Sequence, residues 1–268
     1  VVGVEVGHGQ LHDKLKTDER VVCLENVNAR ELDGSPLREH APAEGFDLIV
    51  ADLSFIALSK IVPHLGPWLK PGGQVVMLIK PQFELRREEV GRGGIVRDTA
   101  LHEAAVARVR PRVVATVHGD TSTTMAQPLD GLGEICHRYG ALLQVDATAT
   151  LGGMPLPTDA WQVDCVTGGL QKCLAGPSGA APITLNDAAA KIIYRRRHIE
   201  QGLQTADYVA GAGRIIGSNY FDLAMVMDYW SDKALNHHTE ATTMLYGAHE
   251  CARIFIEAYA QYNKIVTI

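Results

Sequence analysis

Two apolar runs in the second half of the chain, ALLQVDAT and WQVDCVTGG, most constrain its fold. Each run is short and bounded by turn residues, a pattern that predicts a buried strand. The first strand ends by presenting Asp146, and the loop after the second carries Lys172. Adjacent strand ends of this kind hold their side chains at one edge of a sheet, so we expect the acid and the amine to lie close together.

An acid and a lysine in this arrangement suit pyridoxal phosphate as a cofactor. The lysine can bond covalently to the cofactor's aldehyde, and the acid can keep the pyridine nitrogen protonated so that the ring acts as an electron sink. Either residue alone is weak evidence, because a strand-end Asp is often a helix cap and a Lys after a loop is usually solvated. The hypothesis therefore depends on the neighbouring motifs.

Those motifs resemble one family of enzymes. QVDATATLGG, followed by GGLQKCLAGPSG, is similar to the alanine–glyoxylate and serine–pyruvate branch of the fold-type I aminotransferases. The upstream motif HGDTSTTMAQPLDGLGEICHRYG resembles the strand, turn and helix of the same family. SNYFDLAMVMDYW and LNHHTEATTMLYG are closer still to the (S)-ureidoglycine–glyoxylate aminotransferases of purine breakdown. The resemblance covers about residues 110–255.

The resemblance implies roles for individual residues. It makes Lys172 and Asp146 catalytic and gives Asn236 a contact with the substrate. The cofactor-binding residues that it implies are Thr121, Asp146, Thr148, Gln171, Lys172 and Thr239. Thr121 would meet the ring hydroxyl, and the loop with Thr239 would reach the phosphate of a cofactor in a partner subunit. A homodimer that uses an amino donor and glyoxylate is therefore expected.

The first half of the chain alternates strand and helix patterns. VVGVEV, VVCLEN, FDLIVADLSF and QVVMLIKP are predicted strands, and QLHDKLKTD and ALSKIVPHLGPWLK have helical spacing. Such alternation favours an α/β protein with a doubly wound, mostly parallel, Rossmann-like sheet. In that architecture the carboxyl ends of the strands carry the site, and these ends present Glu5, Asp52 and Lys80.

A second family resemblance covers residues 1–107. VVGVEVGHGQLH, ADLSFIALSKIVPHLGPWLKPGGQVVMLIKPQFE and VGRGGIVRDTALH closely resemble the haemolysin-like ribosomal RNA 2′-O-methyltransferases, which use S-adenosylmethionine. The resemblance implies that Glu5 holds the cofactor ribose and that Asp52 and Lys80 belong to the catalytic set. The family's glycine-rich loop would precede Val1, and the chain starts directly in a strand pattern as if truncated. We therefore do not expect S-adenosylmethionine to bind well.

The two resemblances meet near residues 104–112, EAAVARVRPR, a predicted helix that a proline stops. We predict a methyltransferase-like segment over residues 1–109 and an aminotransferase large-domain-like segment over residues 110–268. No flexible linker separates them, so VVATVHG could follow QVVMLIKP in one shared sheet.

Composition excludes several classes of protein. A hydrophobic content of 46%, a charged content of 21% and a net charge of -6 are those of an ordinary globular chain, so neither RNA nor a membrane is an expected partner. The five cysteines show no metal-ligand spacing, which predicts reduced thiols, no bound metal and a cytoplasmic location. His237 and His238 are adjacent and lack a third ligand, and the arginine run at 195–197 is typical of a helix surface.

Three functional interpretations remain open. The first is a pyridoxal-phosphate aminotransferase of the ureidoglycine type with impaired activity, since the family's aromatic residue over the ring and its substrate-binding arginine have no counterpart here. The second is an S-adenosylmethionine-dependent ribosomal RNA methyltransferase. The third is a chimera, natural or constructed, of two enzyme fragments without catalysis.

Overall fold

A computed structural model of the chain describes residues 1–196, 219–232 and 238–266. The chain divides into two compact units, Val1–Arg110 and Pro111–Ile268. Both units mix helices with mostly parallel strands, which confirms the predicted α/β class.

The first unit contains four strands and five short helices. The strands are β1 (Val2–Glu5), β2 (Val22–Glu25), β3 (Phe46–Ala51) and β4 (Leu69–Met77). The helices are α1 (Asp13–Lys16), α2 (Leu37–His40), α3 (Val62–Leu65), α4 (Pro81–Glu84) and α5 (Thr99–Val109). Short 3-10 turns cover Leu32–Gly34, Leu58–Lys60, Gly66–Trp68, Arg87–Glu89 and Arg92–Gly94.

The strands of the first unit form two parallel pairs, β1 with β2 and β3 with β4. Apolar residues from both pairs pack against one buried cluster, Val27, Leu32, Leu37, Ile61, Leu65 and Trp68. The helix predicted from ALSKIVPHLGPWLK is divided into a 3-10 turn, α3 and a second 3-10 turn. Pro63 and Pro67 explain the division, because proline lacks an N–H and is tolerated only in the first turn of a helix.

The second unit is built on a four-stranded sheet in the order β10-β9-β8-β5. Its strands are β5 (Val113–Val117), β8 (Leu142–Asp146), β9 (Cys165–Thr167) and β10 (Ile183–Leu185). Strands β6 (Gly119–Asp120) and β7 (Met125–Ala126) form a hairpin. The described helices are α6 (Leu132–Arg138), α7 (Asp187–Tyr194), α8 (Leu223–Tyr229) and α9 (Thr242–Val266).

Strand β8 lies between β5 and β9 and is parallel to both, while β10 is antiparallel. Alternate residues of β8 point to opposite faces, so Leu143 and Val145 are fully buried in the core. Asp146 pairs in register with Val117 on one side and Thr167 on the other. The sheet therefore ends with the carboxyl ends of three parallel strands side by side.

Local signals in the sequence agree with the ends of two helices. Asn186 caps α7, since its side chain accepts a hydrogen bond from the Ala189 N–H, as the Asn/Asp pair predicts. Gly140 follows α6 with a φ of 73°, the left-handed conformation that terminates helices. Among the helices within the described ranges, none combines the length and hydropathy needed to cross a bilayer.

Candidate active site

Asp146 is the last residue of β8 and is half-buried at the carboxyl edge of the sheet. Its Oδ1 accepts a hydrogen bond of 2.8 Å from the Thr148 N–H, which closes the turn after the strand. Its backbone oxygen accepts from the His118 N–H at 2.8 Å. Within the described residues Oδ2 has no hydrogen-bond partner, so one oxygen is fixed by the protein and the other is available to a ligand.

Lys172 lies in the loop after β9 and is exposed. The loop backbone is fixed, because the Ala175 N–H donates to the Lys172 carbonyl at 2.9 Å and the Gly176 N–H donates to the Leu170 carbonyl at 2.7 Å. The side-chain amine forms no ion pair with any residue in the described part of the chain. The loop therefore holds an uncommitted primary amine beside the strand end.

Thr148 and Gln171 both lie close to Gly169. A Cβ built on Gly169 would lie 2.7 Å from Gln171 Oε1 and 2.9 Å from Thr148 Cγ2, closer than real Cβ atoms approach. The loop after β8 and the loop after β9 are thus in contact at Gly169, where a larger residue would displace the Thr148 and Gln171 side chains. This contact brings the Asp146 turn and the Lys172 loop together.

Helix α9 supports the Lys172 loop from outside. A Cβ on Gly176 would lie 2.6 Å from Cys251 Sγ, and a Cβ on Gly247 would lie 2.9 Å from the Pro177 ring. These close approaches show that the first half of α9 packs on the segment after Lys172. The position of the amine therefore depends on a helix that follows it by many residues.

Thr121 lies in the exposed hairpin turn between β6 and β7. The Asp120 carboxylate organises this turn by accepting from the Ser122 N–H at 3.0 Å and from the hydroxyls of Ser122 and Thr123. These bonds, that from the Ser122 N–H first, lower the pKa of Asp120. No hydrogen bond among the described residues joins Thr121 to Asp146 or Lys172.

Thr239 is a further residue of the predicted aminotransferase site, and it lies just before α9. Thr239 is exposed, between His238 and Glu240, whose side chains are 3.4 Å apart. The His238 ring lies between those of Tyr220 and Tyr229, with centroid distances of 5.4 and 5.8 Å. Asn236 and His237 fall outside the described residues.

His118 also lies in this region, and no role for it was predicted from the sequence. It is buried, its Nδ1 is 2.8 Å from Thr150 Oγ1, and its ring edge packs on Trp161 at 5.8 Å between centroids. Burial lowers its pKa. Its position directly after an apolar strand, at the start of the HGDTST motif, is the sequence feature that could have indicated a role.

The first unit brings together two of its three predicted site residues. Lys80 Nζ is 2.7 Å from Asp52 Oδ1 and donates to Ser54 Oγ at 2.9 Å. Glu5 lies on the other strand pair, where its Oε1 accepts from the Gly7 N–H at 2.7 Å. Its strand neighbour Glu25 lines a cavity of about 340 Å³.

Two family models match the chain, each over part of its length. The FtsJ-like methyltransferase model matches residues 1–121, and the aminotransferase class-V model matches residues 83–209. The chain therefore combines a segment similar to FtsJ-like methyltransferases with a segment similar to class-V aminotransferases. These matches confirm both resemblances that the motifs indicated. Partial matches to two different families are what a chimera is expected to show.

Individual relatives agree with this division. The chain is 51% identical over 154 residues to the (S)-ureidoglycine–glyoxylate transaminase of Bacillus subtilis (strain 168), covering 57% of this chain and 37% of the relative. It is 43% identical over 112 residues to the 16S/23S rRNA (cytidine-2′-O)-methyltransferase TlyA of Mycobacterium tuberculosis, covering 42% of this chain and 40% of the relative. The chain thus spans less than half the length of either relative.

Two solved aminotransferase structures superpose on most of this chain. The ureidoglycine–glyoxylate aminotransferase of Bacillus subtilis superposes with a TM-score of 0.56 and 37% identity, over 80% of this chain and 48% of that structure. The alanine–glyoxylate aminotransferase of Nostoc sp. superposes with a TM-score of 0.53 and 28% identity, over 79% of this chain and 48% of that structure.

Proposed function

We propose that the second unit binds pyridoxal phosphate and transfers amino groups to glyoxylate, in the manner of the ureidoglycine-type aminotransferases, with reduced activity. One observation carries the proposal: Asp146 and Lys172 follow adjacent parallel strands, and the two loops that bear them touch over Gly169. The aminotransferase class-V match supports the choice of cofactor.

The donor set at this edge fits the cofactor. Thr148 and Gln171 lie against Gly169, and the same two segments carry a carboxylate, Asp146, and a primary amine, Lys172. When bound, pyridoxal phosphate supplies a protonated pyridine ring that withdraws electrons from the substrate carbon. A glycine beside the ligand lets a flat ring approach the backbone closely.

The proposed roles follow from the contacts of each side chain. Asp146 holds its Oδ1 on the Thr148 N–H, so Oδ2 is left to accept a hydrogen bond from the ring nitrogen. Lys172 Nζ would hold the cofactor through its aldehyde carbon, and as a free amine it would serve as the base and acid that moves the substrate proton. Gln171 and Thr148 hold polar groups beside the two loops, where they restrict the cofactor's orientation.

We also propose that the working form is a homodimer. Five aromatic side chains, before α8, directly after it and along α9, are largely exposed: Tyr220, Phe221, Trp230, Tyr246 and Tyr259. Exposed aromatic side chains are enriched at interfaces between proteins, and we infer that a second copy of the chain covers these residues. Thr239 lies just before α9, at the same end of that helix as Tyr246, and from there it would reach the cofactor of a neighbouring subunit.

Peptide mapping after borohydride reduction tests the proposal. The chain is incubated with pyridoxal phosphate, reduced, digested and searched for the modified lysine. We expect the label on Lys172 and its loss in Lys172→Ala, whereas the matched variant Lys191→Ala, which removes an exposed lysine of α7, keeps it. Label scattered over surface lysines would contradict a cofactor site.

A second candidate function is methyl transfer from S-adenosylmethionine. The specific observation in its favour is the 2.7 Å ion pair between Lys80 and Asp52, because a lysine beside an acid can lower the pKa of a ribose hydroxyl. Calorimetric titration of the chain with S-adenosylmethionine tests it. A saturable signal that Glu5→Ala reduces would favour this candidate, while no signal in this titration and no label on Lys172 would leave a chimera without catalysis.

A further inference from the structure

We propose that His118 is a positioning residue for the candidate active site: hydrogen-bonded to Thr150, it holds the turn that presents the Asp146 carboxylate. The role of this arrangement in cofactor binding rests on the proposed function, whereas the hydrogen bonds that form it do not.

The backbone of His118 joins two parts of the site. Its N–H donates to the Asp146 carbonyl at 2.8 Å, and its own carbonyl accepts from the Gln127 N–H at 2.8 Å. The first bond fixes the end of β8, and the second closes the base of the hairpin that carries Thr121. His118 therefore lies between the strand that ends in the acid and the hairpin.

The side chain of His118 extends this connection. Its Nδ1 and Thr150 Oγ1 are 2.8 Å apart, and the two residues are only 2% and 6% exposed. The Thr150 N–H donates to the Ala147 carbonyl at 3.0 Å, which folds back the segment after Asp146. A buried polar pair is costly to leave unpaired, so the imidazole and the hydroxyl restrain each other and the turn between them.

Close packing reinforces the restraint. A Cβ built on Gly119 would lie 2.4 Å from Thr150 Cγ2, so the hairpin strand rests directly on the threonine. The His118 ring also packs on Trp161 in an edge-to-face arrangement. Neither the hairpin nor the Asp146 turn can move without disturbing the His118–Thr150 contact.

The environment also determines the charge of the ring. Burial lowers the pKa of His118, so the imidazole is neutral at pH 7. A neutral ring restrains the turn without adding a positive charge beside Asp146. The full negative charge of the carboxylate is then available to a protonated ring nitrogen.

Hydrogen exchange on the full chain without cofactor tests the positioning role. His118→Phe keeps a ring against Trp161 but removes the nitrogen, and Thr150→Val removes the hydroxyl at nearly constant volume. We expect the Thr148 amide, which is bonded to Asp146, to exchange about tenfold faster in both variants. Amides of β8 and β9 are expected to keep their protection.

Two conservative variants serve as controls. His118→Asn places an amide near the position of Nδ1, and Thr150→Ser keeps the hydroxyl, so both should restore slow exchange at Thr148. Unchanged exchange at Thr148 in the Phe and Val variants would overturn the proposal. Equal acceleration at all amides of the second unit would also overturn it, because it would show a general loss of stability.

Cofactor uptake separates this inference from the proposed function. If the wild-type chain is labelled on Lys172, the Phe and Val variants should bind pyridoxal phosphate about tenfold more weakly, and the Asn and Ser variants within about threefold of wild type. Equal affinity in all five chains would overturn the inference. If the wild-type chain takes up no cofactor, the proposed function fails, and the exchange data still decide whether His118 positions Asp146.

Discussion

Removal of the Asp164 carboxylate should lower the stability of the second unit. Asp164 precedes β9 and is 1% exposed. Its Oδ2 accepts from the Leu143 N–H at 2.7 Å and from His137 Nε2 at 2.9 Å, and its Oδ1 accepts from Asn186 Nδ2 at 2.6 Å. One buried carboxylate thus links β8, α6 and the start of α7.

The size of the effect follows from these three contacts. A hydrogen bond to a charged acceptor contributes about 1.5–3 kcal/mol, but the donors of His137 and Asn186 lie near the surface and can turn to water. The Leu143 N–H cannot, because Leu143 is fully buried. We therefore expect Asp164→Ala to lower the free energy of unfolding by about 3–5 kcal/mol, and Asp164→Asn, which keeps the shape but not the charge, by about 2 kcal/mol.

Native-state hydrogen exchange of the β8 amides measures this free energy for the second unit alone. The matched control is Asp159→Ala, which removes an exposed carboxylate and should change stability by less than about 0.5 kcal/mol. A value for Asp164→Ala within about 1 kcal/mol of wild type would refute the reasoning that the Leu143 N–H has no alternative partner.

Three further predictions concern Gly169, Asp146 and Cys136. Gly169→Ala should reduce cofactor uptake and cost about 1 kcal/mol of stability, because its Cβ would displace the Thr148 methyl and the end of the Gln171 side chain. Gly34→Ala, whose Cβ would meet nothing within 4 Å, should be neutral in both measurements. Asp146→Ala should leave weaker labelling of Lys172 and little amino transfer, since an unprotonated ring withdraws electrons poorly; unchanged turnover would contradict the role. Burial, followed by the charge of Asp164, raises the pKa of the Cys136 thiol to about 11, so a thiol reagent at pH 8 should modify the exposed Cys173 first and Cys136 only on unfolding, as mass spectrometry can show.

The sequence was sufficient for the α/β class and for the elements that carry the site. Short apolar runs bounded by turn residues predicted β8 and β9, because buried strands have a distinct composition and length. The position of Lys172 behind the second run followed from the same pattern. For the helix after Ala57 the apolar spacing was misleading, because it does not register how prolines interrupt helical hydrogen bonds.

Tertiary structure decided which residues meet. The contact of Thr148 with Gly169 depends on β8 and β9 being neighbours in register, and no local pattern encodes the pairing of strands. The sequence likewise gave no sign that His118 bonds to Thr150, or that a single buried Asp164 satisfies three donors from separate elements. Local sequence specifies which side chains a strand end presents, whereas the partners of a buried polar group are fixed only when the chain folds and excludes water around it.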